Sequence, residues 1–226
     1  MLKYNDFIQQ VDEAGFLTPF TNYIDPEIFK FPYDGQNMMG QAYSNNADTD
    51  PELWKMRVSQ DKVLAYGYFF NGKPNGYIAP RFYSIFVDAF RPHLTMAERY
   101  NTGKLGKYEY DAWNFINQQN KPLSWTDIRR GLNLEPAAKH KTEVNRLDTA
   151  LRNLQMTFDT TIDGTVGHLG CTKVDDWIPI EWWEMNPRME HEEALEIIYR
   201  QAEKISTLGD AKKAFAKSLR LYKSYL

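Results

Sequence analysis

Residues 124–164 read SWTDIRRGLNLEPAAKHKTEVNRLDTALRNLQMTFDTTIDG, and their patterning decides the fold class. Ser124 with Asp127 three positions on is an N-cap followed by an acid at N3, close to a capping box. It opens a short helix that ends at Gly131, and Leu132 to Pro136 turns the chain. A longer helix is expected from about Ala138 to Met156, because Val144, Leu147, Leu151 and Leu154 recur at steps of three and four. Phe158 to Ile162 alternates with threonines as a strand does, and Asp163-Gly164 makes a tight turn. A returning strand over roughly Val166 to Val174 closes a hairpin.

Working outward, Tyr108 to Gln119 forms a helix on Ala112, Trp113, Phe115 and Ile116, and Pro122-Leu123 is an extended link. Three helices and a hairpin in this order describe a winged helix-turn-helix. An unrelated α+β module with the same order is the alternative. The fold class is therefore α+β: a winged helix over 107–180, an N-terminal α+β part over 1–106 and a C-terminal helical pair over 181–226. In the N-terminal part, Tyr4 to Ala14 is a helix capped by Gly15, and Val63 to Phe70 is a strand. Asn71 to Gly76 turns the chain, and Tyr77-Ile78 returns as a second strand. Pro80 opens a helix to Phe90, and Thr95 caps another from Met96 to about Leu105. Residues 16–50 are loop-rich, and Asp50-Pro51-Glu52-Leu53-Trp54-Lys55 reads as a helix start. The tail holds helices over Glu190–Ser206 and Asp210–Tyr225, with Glu192-Glu193 at a helix start where the dipole favours acids.

The net charge of −3 over 226 residues argues against a wholesale nucleic-acid coat. The average hides an asymmetry. Residues 1–60 carry four basic against nine acidic side chains, a net −5. Residues 121–155 carry seven basic against four acidic ones, a net +3. On the longer helix the core stripe leaves Lys141, Thr142, Asn145, Asp148, Thr149 and Arg152 pointing outward. Lysine and arginine neutralise phosphates, and asparagine and threonine meet base edges. The candidate nucleic-acid-binding set is Arg129, Arg130, Lys139, Lys141, Asn145, Arg146 and Arg152, with the wing from Asp163 to His168 against the backbone. Glu143 and Asp148 oppose this reading, since they fit an ordinary solvated face.

Other chemistry is poorly supported. His168-x-x-Cys171 offers two metal ligands with no second pair nearby, so no metal and no cofactor is expected. Cys171, alone in the chain, reads as a packing residue of a cytoplasmic protein. Gly72-Lys73-Pro74-Asn75-Gly76 lacks the spacing of a phosphate loop. Trp177, Trp182 and Trp183 around Pro179 read as core packing before base stacking. The longest apolar run, Val63 to Phe70, is too short to span a bilayer, so no membrane is expected.

Three stretches carry a likeness: Asp50 to Lys55; Ala65-Tyr66-Gly67-Tyr68-Phe69-Phe70-Asn71-Gly72-Lys73 with Tyr77-Ile78-Ala79; and Ala150-Leu151-Arg152-Asn153-Leu154-Gln155-Met156. Together they resemble the AlkZ-like winged-helix family, in particular its shorter AlkZ-related branch. The resemblance implies tandem winged helices, double-stranded DNA as partner and a link to DNA repair. Its full-length members are glycosylases that act on alkylated bases through a Gln-x-Gln or Gln-x-Asp pair. Here Gln9-Gln10 and Gln118-Gln119 are adjacent, and Gln36 and Gln41 stand apart, so neither a Gln-x-Gln nor a Gln-x-Asp pair is expected. The expectation is DNA binding, with a divergent glycosylase or a protein-interaction module as alternatives.

Overall fold

The computed structural model describes residues 4–17, 62–70, 76–164, 170–205 and 211–226. Helix α1 (Tyr4–Ala14) ends at Gly15, whose φ of +84° is the left-handed conformation that closes helices. A Cβ at Gly15 would also lie 2.5 Å from the Phe82 ring. The chain enters strand β1 (Phe16–Leu17), which pairs with β3 (Gly76–Ile78). β3 also pairs with β2 (Ala65–Gly67), Tyr66 opposite Tyr77, giving a three-stranded antiparallel sheet in the order β1-β3-β2. The strand expected over Val63 to Phe70 is thus shorter. Phe69 and Phe70 leave the ladder to enter the core, where their rings replace lost backbone pairing with burial.

Helix α2 (Pro80–Phe90) takes its fixed first φ from Pro80 and is buried along nearly its whole length. Phe16, Phe70, Phe82, Tyr83, Phe86 and Phe90 meet around it. Phe69 stacks on Phe158 at 5.4 Å, which ties this aromatic core to the hairpin after the long helix. Helix α3 (Met96–Asn101) has the full Thr95–Glu98 capping box. It stops before the expected end near Leu105, because Gly103 takes a left-handed φ of +72°.

The central unit follows. Helix α4 (Lys107–Asn117) leads to Leu123, which forms an antiparallel bridge with Cys171. Helix α5 (Trp125–Gly131) carries the Ser124–Asp127 capping box expected of it. The long helix begins later than expected. Residues Ala137–Lys139 form a 3₁₀ turn, His140 leaves helical geometry at φ −123°, and α6 runs over Lys141–Met156. Strands β4 (Thr160–Ile162) and β5 (Cys171–Lys173) pair antiparallel, Thr161 opposite Thr172. This order, with the segment after α4 bridged to the last strand, is compatible with a winged helix.

Beneath α6 lies a second, mainly aliphatic core of Ile128, Val144, Leu147, Leu151, Leu154 and Cys171. Each buried leucine there stabilises the unit by about 1.5–3 kcal/mol. Cys171 is fully buried and its thiol is pushed up to about 12 by desolvation, in keeping with a packing residue. Trp177 and Trp182 are core residues too, from α7 (Val174–Trp177) and α8 (Ile180–Glu184). Helix α9 (His191–Ile205) packs on α2, and the tail ends in α10 (Ala211–Ala214) and α11 (Ala216–Tyr225). Phe215 enters the aromatic core and Tyr225 the aliphatic one.

The molecule is therefore α+β. The loop-rich stretch over 18–50, the helix start over 50–55, the turn over 71–75 and most of the wing, with His168, lie outside the described residues.

Candidate nucleic-acid interface

Because Val144, Leu147, Leu151 and Leu154 point into the aliphatic core, the opposite side of α6 must face outward. Lys141, Thr142, Asn145, Arg146 and Thr149 are exposed there, and Lys139 is exposed on the 3₁₀ turn just before it. No ion pair holds Lys139, Lys141 or Arg146 among the described residues. These three cations stand ready for an external anion, and Asn145 lies between them. Thr149 donates its hydroxyl to the Asn145 carbonyl at 3.0 Å, so its donor is already used.

The other arginines of the expected set are differently placed. Arg130 is exposed but paired with Asp127 at 2.9 Å on its own helix. Arg129 is half-buried, donates to the Trp125 carbonyl at 3.3 Å and approaches Glu135 at 3.9 Å. Arg152 lies over two rings, 5.3 Å from the centre of Tyr68 and 5.7 Å from that of Trp125. The structure also corrects the outward set: Asp148 and Arg152 are half-buried, and Arg152 is covered by Trp125 of α5 and by Tyr68, which follows β2. Burial raises the Asp148 carboxyl above its ordinary value, against the pull of Arg129 and Arg152.

A cleft of about 500 Å³ runs between the start of α4 and the exposed side of α6. Lys107 in its wall is paired with Asp111, and Glu109 accepts from Asn153 Nδ2 at 2.9 Å. Thr142, Asn145 and Arg146 therefore supply its uncommitted polar groups from α6.

Two features depart from the expectations above. Gln155 is fully buried, and its Oε1 accepts from the Tyr68 backbone N–H at 3.1 Å, across 87 residues. Gly67 permits this approach, since a Cβ there would sit 3.1 Å from the same oxygen. The contact joins two of the three stretches that carried the likeness above. Gln155 Nε2 and Trp125 Nε1 have no protein partner, which costs about 1–3 kcal/mol per buried donor left unpaired.

The second feature corrects the expectation that no Gln-x-Asp pair is present: Gln10-Val11-Asp12 has that spacing. It falls within α1, where positions two apart lie about 200° apart around the axis. Asp12 Oδ1 is 3.6 Å from the Arg81 guanidinium, and Val11 between them is buried in the core. This helix does not bring the two positions onto one face.

Among the described residues no helix is long and apolar enough to cross a membrane, and no cluster of three or more His, Cys, Asp or Glu could hold a metal. A family model described as AlkZ related matches residues 1–220, nearly the whole chain. No curated protein and no solved structure matches it.

Proposed function

The chain belongs to the AlkZ-related family, and on that premise we propose that it binds double-stranded DNA through the outer side of α6, in the service of DNA repair. Membership links the chain to glycosylase-like repair proteins. The observation that supports the DNA reading is the set of unpaired cations Lys139, Lys141 and Arg146 around Asn145, on a helix whose other side is anchored in a core. A third helix placed after a short capped helix is the element that enters a major groove in winged helices. Lysine and arginine then take phosphates, and Asn145 is the residue that reaches a base edge.

Two observations favour binding over the alternatives. The large exposed apolar side chains among the described residues are Val63, Tyr100, Ile180, Met185 and Leu226, and none of them lies on α6 or on the tail helices α9 and α11, where a protein-docking patch would be expected. The Gln-x-Asp pair of α1 does not converge on one face, which weighs against base excision by those two groups.

Fluorescence anisotropy with a labelled duplex at low salt tests the proposal. The full chain binds, and the triple variant Lys139→Gln/Lys141→Gln/Arg146→Gln loses at least ~10-fold in affinity. Absence of binding by the unaltered chain, or equal binding by the variant, contradicts it.

A further inference from the structure

We propose that the flank of α6 carrying Arg152 and Gln155, together with Trp125 and Tyr68, is a second site, one that takes an unpaired nucleobase of the bound DNA. It rests on the DNA-binding reading above and adds to it a choice of DNA structure. Asp148, Arg152 and Gln155 recur at steps of four and three, so they form one stripe along α6, turned toward α5 and β2. The rings of Tyr68 and Trp125 lie 6.5 Å apart at 33°, and the Arg152 guanidinium rests over both. Tyr68 and Arg152 are half-exposed, so this flat surface is within reach of a ligand.

The hydrogen bonding fixes what the ligand must offer. The Tyr68 backbone N–H can only donate, so the Gln155 atom that faces it is the carbonyl oxygen and the free end is the amide NH₂. Gln155 is 0% exposed and Trp125 5%, and the Nε2 donor of one and the Nε1 donor of the other have no protein partner. The site thus combines aromatic faces with unpaired N–H donors. A phosphate would engage Arg152 and leave the rings and the amide unused. A nucleobase has a π-face for stacking and ring nitrogens or carbonyls for those donors.

Entry exchanges the two ring contacts of Arg152 for base stacking on the same rings. Arg152 makes ring contacts but no hydrogen bond to the described residues. A base that replaces it in the stack breaks none. Asp148, one turn earlier, has an unpartnered Oδ1 that the displaced guanidinium can engage. The phosphate-facing cations are on the same helix, so a duplex held there brings its bases beside this flank.

The test compares a duplex carrying a single bulged 2-aminopurine with one in which the same base is paired. The full chain binds the bulged duplex roughly 10-fold tighter and quenches its fluorescence by stacking. Gln155→Met and Tyr68→Leu each bring the bulged-to-paired ratio to about one. Tyr68 is half-exposed, so its variant reports even if the change at buried Gln155 prevents folding. Equal affinity of the unaltered chain for both duplexes overturns the base site and leaves the DNA reading standing. A ratio that survives in both variants also overturns the site. No binding to either duplex overturns both proposals.

Discussion

Arg99 lies with 2% of its side chain exposed, forked onto Asp159 at 2.6 and 3.0 Å, whereas Arg146 stands exposed on α6 with no carboxylate partner among the described residues. The buried pair is closed to solvent, although the Arg99 Nε has no hydrogen-bond partner. Asp159 also accepts from the Thr157 hydroxyl at 2.6 Å, and the Arg99 guanidinium sits 5.1 Å from the Tyr225 ring. It joins α3, the start of the hairpin and the end of α11 into one junction. The difference teaches that local charge counts do not locate a binding face. The excess of positive charge over 121–155 includes arginines that are consumed by Asp127, Glu135 or aromatic rings. Pairing decides which cations remain for an external phosphate, and they are fewer than the sequence offered.

The sharpest way to break this contrast is Arg99→Met. It strands the Asp159 carboxylate without its counter-ion and costs about 3–5 kcal/mol, read as a lower urea midpoint. Next in size is the triple neutralisation of Lys139, Lys141 and Arg146. Duplex affinity falls at least ~10-fold while stability stays within about 0.5 kcal/mol, as expected of exposed positions. A variant that lost stability and kept its affinity would reverse the roles assigned to the two groups. Ser124→Ala removes the α5 cap and costs about 1 kcal/mol by the same urea titration.

The smallest effect is expected at Asp148. Burial raises its pKa, so the folded chain takes up that proton more readily than the unfolded one. Its contribution to stability therefore rises as pH falls from neutral toward the ordinary carboxylate range, and Asp148→Asn loses that slope. The same variant removes a negative charge beside the cationic face and tightens duplex binding about 2–3-fold at neutral pH.

What was legible in the sequence follows the range of the interactions. The Thr95 and Ser124 capping boxes, the Pro80 helix start and the leucine stripe of α6 are set by residues within a turn or two of each other. Their periods and spacings are visible in the chain, and so was the outward position of Lys141, Thr142, Asn145 and Thr149. The burial of Arg152 was not legible, because it depends on Trp125 and Tyr68 from other elements. Nor were the Arg99–Asp159 pair and the Gln155–Tyr68 bond, which span 60 and 87 residues. A contact at that distance leaves no periodicity. The Gln155 environment had one faint trace, a glutamine set between Leu154 and Met156 at the helix end.

The most direct test of DNA binding through α6 is the salt dependence of duplex affinity for the full chain. Three unpaired cations on the face predict a slope of log Kobs against log salt of about −3. Arg146→Gln should make that slope shallower by about one unit. A slope near zero, or a steep slope that Arg146→Gln leaves unchanged, would contradict the assignment of this face.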